Sequence, residues 1–135
     1  RGLGDVYKRQ NIDMALKVNP TADKVVAILD DSVTADAERK NFYSAEAEYP
    51  ELEFSEINSS ELTTAQLQQA ISKVDDKTIL IYIVMSKDGS GKQYTSDQAV
   101  RMVVNYSKVP VYRMVEAGIG DGLLGGNVGL LGRCQ

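Results

Sequence analysis

The chain has no histidine and one cysteine, Cys134, in 135 residues. The first absence removes every nucleophilic or acid–base arrangement that needs an imidazole, and both remove the usual zinc ligand sets. A lone cysteine excludes an internal disulfide framework. No apolar run reaches the roughly 18–20 residues that a membrane span requires. Positive charge is in short supply: 15 Lys+Arg stand against 19 Asp+Glu, a net charge of −4. That balance argues against a nucleic-acid binder, which shows a basic patch. An enzyme built from this chain would have to work with carboxylates, Lys, Ser/Thr or Tyr. The remaining composition, 43% hydrophobic and 25% charged, is that of one soluble globular domain, and the length is too small for two.

Residues 1–10, RGLGDVYKRQ, lack both the periodicity of the adjoining segment and the apolar core of a signal peptide. They resemble translated adapter sequence and are set apart as an expected non-native or disordered leader. Residues 11–135 are expected to form a partial domain, truncated at both ends.

From residue 14 two kinds of segment alternate. Val25 to Asp30 is a continuous β-branched run, the pattern of a strand buried on both faces. Thr34 to Tyr49 places Ala35, Phe42, Ala45 and Tyr49 at helical intervals, with Thr34 as the expected N-cap and Pro50 as the stop. Leu52 to Ile57 alternates as a half-exposed strand does. A helix led by Thr63-Thr64 then carries Leu67, Ala70, Ile71 and Val74 on one side. Ile79 to Met85 is the most apolar stretch and the expected central strand. After the turn-rich loop Ser86 to Gly91, Thr95 or Ser96 caps a third helix, and Val109 to Val115 is a fourth strand.

This order predicts an α/β fold: a three-layer parallel sheet with helices on both faces. Ligands of such sheets sit beyond the carboxyl ends of the strands. The loops that matter are therefore Asp31-Ser32-Val33, Asn58-Ser59-Ser60, Ser86-Lys87-Asp88 and Glu116-Ala117-Gly118.

Three motifs are incomplete in their chemistry. Asp30-Asp31 is similar to the acidic pair that holds Mg²⁺ in receiver domains, but Ser86 stands where the phosphoacceptor carboxylate belongs. Lys87 to Lys92 lacks the first glycine of a phosphate loop and has Gln93 in place of the metal-binding hydroxyl. Gly120 to Gly125 spells G-x-G-x-x-G, yet follows the last strand with no acidic residue about 20 positions on. Asp88, Glu116 and Asp121 form no recognisable acid–base set. Tyr82 and Tyr112 read as packing residues. Tyr94, in a loop, stands where an aromatic covers a ligand or packs on the surface.

Residues 14–128 resemble one lobe of a type I periplasmic-binding-protein-like domain. The branch concerned is the ABC transporter substrate-binding family, whose members also serve as extracytoplasmic sensor domains of histidine kinases and diguanylate cyclases. The resemblance is carried by Asn19-Pro20 with Lys24 to Asp31, by Asp88 to Gly91, by Val109 to Tyr112, and by Gly118 to Gly126. It implies one lobe of a clamshell that binds a small, amino-acid-like organic solute in the cleft between lobes, with no catalysis, metal or cofactor. The positions that would face the cleft are Asp31, Ser32, Ser86, Asp88, Tyr94, Glu116 and Gly118, with Asp88 suited to a ligand ammonium group. The implied parent is extracytoplasmic and membrane-anchored. It works with an ABC permease or a covalently linked kinase or cyclase domain, and its lobes allow a dimer. The alternatives are a receiver-like phosphoacceptor domain and an α/β enzyme fragment.

Overall fold

The computed structural model describes residues 12–113. Four strands, β1 (Lys24–Leu29), β2 (Glu53–Asn58), β3 (Thr78–Val84) and β4 (Val111–Arg113), form one sheet in the order β2-β1-β3-β4, with every pairing parallel. The α/β class and the parallel sheet expected from the alternation are therefore present. Helix α1 covers residues 12–18; α2 is Val33–Ser44, α3 is Thr64–Ser72 and α4 is Ser96–Tyr106.

Alternation along the strands sends side chains to two separate cores. Val25, Ala27, Leu29, Phe54, Ile79, Ile81 and Tyr112 meet Ile12 and Ala15 of α1 and Ala35 and Phe42 of α2. On the other face, Ile28, Leu80, Tyr82 and Val111 meet Leu67 and Ile71 of α3 and Ala99 and Val103 of α4. β1 and β3 supply residues to both cores, so their sequences read as unbroken apolar runs. The chain steps from β1 to β2 in one direction and returns over β1 to β3 in the other. Crossovers of a single hand then require α2 and α3 on opposite faces, which is where they lie.

The element boundaries depart from expectation where local chemistry intervenes. Ser32, not Thr34, caps α2: its extended backbone lets Oγ accept the Ala35 N–H at 3.1 Å. The helix also stops at Ser44, not Tyr49. The N–H of Ala45 bonds back to Phe42 and Tyr43 carbonyls, which tightens the chain into a 3₁₀ turn at Glu46–Glu48. Thr95 caps α4 and Thr63 caps α3, each in a reciprocal capping box with Gln98 or Gln66. β4 begins after Pro110, which has no N–H to give the ladder; Met114 and Val115, included in the expected strand, lie outside the described residues.

One irregularity affects the functional end of the sheet. Ile28 pairs with Tyr82 but Leu29 with Val84, so β3 holds one extra residue at its carboxyl end. The phase of β3 flips there: Leu80 and Tyr82 belong to the α3/α4 core, and so does Met85.

Candidate functional site

β1 and β3 are neighbours whose following loops leave in opposite directions, toward β2 and toward β4. This makes their tips the topological switch point of the sheet, where crevices form in open parallel folds. Asp30 directly follows β1 there and is fully buried. Its Oδ2 accepts both the backbone N–H of Ser86 at 2.7 Å and the Ser86 hydroxyl at 2.6 Å, and its Oδ1 accepts the N–H of Ser32 at 2.9 Å. Desolvation pushes this carboxyl up, but the bonds from Ser86 and Ser32 outweigh it, and Asp30 is held below the usual carboxylate range.

A third loop is tied to these two. The N–H of Asp31 donates to Ser60 Oγ at 3.0 Å, and Ser59 Oγ donates to the Lys87 carbonyl at 2.6 Å. The Gly89 N–H donates to the Leu62 carbonyl at 2.6 Å. A Cβ at Gly89 would stand 2.8 Å from that oxygen and 2.9 Å from the Ser60 carbonyl, so only glycine fits this approach. The segment after β3 folds back on itself through the Asp88 N–H to Lys92 carbonyl bond (3.0 Å), the Tyr94 N–H to Ser86 carbonyl bond (2.8 Å), and Gly91 at φ +92°. Three strand-tip loops thus form one cross-bonded polar unit.

Asp31 and Lys87 lie on the open side of this unit. Lys87 Nζ is 3.1 Å from Asp31 Oδ1, and the two side chains are 49% and 57% exposed, Lys87 the less so. Hydrogen bonding from Lys87 and from the Ser60 side chain holds the Asp31 carboxyl below its ordinary range. Val33, the first residue of α2 and two positions after Asp31, is 87% exposed, more than any other large apolar side chain among the described residues.

The structure brings five of the sequence-predicted residues to this end of the sheet: Asp31, Ser32, Ser86, Asp88 and Tyr94. Their roles differ from expectation. Ser32 is spent on capping α2, and Ser86 on Asp30. Asp88 is buried, and its carboxylate already accepts five bonds. Oδ2 takes the hydroxyls of Thr64 (2.6 Å) and Tyr94 (2.7 Å); Oδ1 takes the N–H and hydroxyl of Ser90 (2.9 and 2.6 Å) and the N–H of Lys92 (3.2 Å). Burial raises the Asp88 carboxyl, but the bonds from Ser90, Thr64 and Tyr94 bring it far below the usual range. No lone pair is left over for a ligand ammonium group. Tyr94 is buried at the base of the same loop instead of covering it, and burial with the bond to Asp88 pushes its hydroxyl up to about 12. Glu116 and Gly118 lie outside the described residues.

Asp30 and Lys87 are the residues the site expectation omits. An aspartate directly after a doubly buried strand is the available signal for the first. Among the described residues no group of three or more His, Cys, Asp or Glu is placed to hold a metal ion, and no helix is long and apolar enough to cross a membrane. A groove of about 240 Å³ lies elsewhere, where Lys24, Val26, Ile57, Ala70, Val74 and Thr78 meet toward the amino ends of β1 and β3, and contains none of the predicted site residues.

Fold and site together define a parallel α/β domain with a cross-bonded, polar strand-tip platform. Compared with protein-family models, curated proteins and solved structures, the chain matches none.

Proposed function

We propose that this chain is a solute-binding lobe, holding a small, amino-acid-like organic molecule at the tips of β1 and β3 and changing none of its bonds. The observation that supports this most directly is the cross-bonded unit of three loops at the switch point. Binding is tightest when the recognising groups are held in place beforehand, and here bonds of Asp30, Ser59 and Ser60 tie the three loops to one another. The solvent-facing Asp31, Lys87 and Val33 offer one anion, one cation and an apolar group on a single rim. Such a mixture suits a small polar solute.

An open platform leaves most of a solute in water, so the reading includes a second wall that closes over it, as in a two-lobed clamshell. It also includes an extracytoplasmic, membrane-anchored parent that hands its signal or cargo to an ABC permease or a linked kinase or cyclase. The receiver-like alternative has less support. Asp30, which would bind the metal, has its oxygens taken by Ser32 and Ser86.

Titration of the isotope-labelled chain with the common amino acids, read by amide NMR shifts, tests the proposal. Shifts clustered at residues 30–33, 58–60 and 86–88 are expected, with millimolar affinity for the single wall. Shifts confined to other surfaces, or none, overturn it.

A further inference from the structure

We infer that the Asp31–Lys87 ion pair is the specificity device of this platform, selecting a dipolar solute whose cation and anion replace the two partners of the pair. The inference rests on the solute-binding reading and assigns its selectivity to two residues.

The pair joins the two loops that part at the switch point, with Nζ and Oδ1 3.1 Å apart. Its backbones are clamped. The Asp31 N–H is held by Ser60 Oγ at 3.0 Å, the Lys87 carbonyl by Ser59 Oγ at 2.6 Å, and Lys87 pairs with Gln93 in an antiparallel bridge. Its charged ends are about half exposed, with the Asp31 carboxylate also hydrogen-bonded by the Ser60 side chain. An ion pair in that setting is weak and readily exchanged. Fixed positions with exchangeable charges are what a recognition element needs.

The neighbouring charges in these two loops are otherwise engaged. Asp30 and Asp88 are buried and saturated with donors. Lys92 lies over the Tyr94 ring, 5.4 Å from its centroid. Asp31 and Lys87 remain to meet a solute.

A molecule bearing an ammonium and a carboxylate a few ångströms apart gives Asp31 a cation and Lys87 an anion, so no charge loses its partner. A molecule with one charge satisfies one residue and strands the other. Once a second wall excludes water, the stranded charge is heavily penalised. Discrimination therefore comes as much from rejecting singly charged solutes as from welcoming dipolar ones.

The experiment compares leucine with its methyl ester, which keeps only the cation, and with N-acetyl-leucine, which keeps only the anion. Amide shifts of the full chain are followed in each titration. Leucine is expected to move residues 31–33 and 86–88 and to bind about threefold more tightly than either analogue, the ratio that half-exposed charges support on a single open wall. D31N and K87Q are each expected to remove that preference, and the exchange of Asp31→Lys with Lys87→Asp to restore part of it. Both residues are exposed, and an unchanged circular dichroism spectrum verifies folding. Equal binding of all three molecules at these loops, or a leucine preference that survives D31N and K87Q, overturns the inference but leaves the proposed function standing. Absence of shifts at these loops with leucine and every other common amino acid overturns both.

Discussion

The carboxylate of Asp30 receives both the N–H and the hydroxyl of Ser86, at 2.7 and 2.6 Å, across the tips of the two central strands. The residues are 56 positions apart, and their contact joins the loops that leave the sheet in opposite directions. The extra residue in β3 lies shortly before Ser86, between the partners of Ile28 and Leu29. A bulge at this point is in keeping with the role of such irregularities in re-aiming a chain beside a site.

Replacing Asp30 is therefore expected to damage stability. Asp30→Ala leaves the N–H groups of Ser32 and Ser86 without their acceptor, at a cost of about 1–3 kcal/mol in urea unfolding. The mutant should also lose ordered amide signals at residues 31–33 and 86–88. A loss below about 0.5 kcal/mol, the size of an ordinary surface substitution, would contradict the role assigned to Asp30.

Asp88 and Tyr94 should give the domain opposite pH limits. Asp88 titrates below its ordinary value, so its contribution is present above an unfolded pKa of about 3.9 and is lost as pH falls toward the folded value. Tyr94 is pushed up to about 12, so its contribution is present below an unfolded pKa of about 10 and fades as pH rises through the folded value. Y94F should weaken the alkaline loss of stability, and D88N the acid one. Parallel urea titrations across pH check both, and unchanged pH profiles would refute the pairing.

Gly89 and Gly91 should fail for different reasons. Gly89→Ala drives a methyl group into the Leu62 and Ser60 carbonyls, at 2.8 and 2.9 Å, and should cost about 1–3 kcal/mol by overpacking. Gly91 has open space but a φ of +92°, so Gly91→Ala should cost about 1–2 kcal/mol through backbone strain alone. Amide shifts separate the two. Gly89→Ala should perturb residues 58–64 across the loop contact, whereas the Gly91 variant should perturb only its own turn.

The cap of α2 is open to the same kind of comparison. Ser32→Ala removes the acceptor of the Ala35 N–H and should cost about 1 kcal/mol, while Thr34→Ala should be close to neutral. Thermal unfolding of the two variants distinguishes them, and the reverse order would place the cap at Thr34.

The helix caps show how far sequence reasoning reaches. At α4, Thr95 stands four residues before Ala99 with Gln98 correctly spaced, and the capping box formed as the local pattern implies. At α2, Ser32 and Thr34 are both competent caps. The choice depends on where β1 ends and on Asp30 capturing the Ser32 N–H, and that depends on Ser86 from a distant strand. Asp88 shows the limit most clearly. A carboxylate in a polar loop is written the same way whether it serves a ligand or its own chain. Thr64, which closes its shell of donors, is 24 positions away.

Local pattern determined what depends on near neighbours along the chain. Apolar runs of the right length made β1 and β3 strands for burial on both faces, periodic faces made α3 and α4, and the alternation of the two made the sheet parallel. Tertiary structure alone decided which polar groups are free. Hydrogen bonding is short-ranged and saturable, so Asp88 and Ser86 lost their capacity to partners that folding delivered from elsewhere. Asp31 and Lys87 pair at the surface instead, where both charges stay about half exposed.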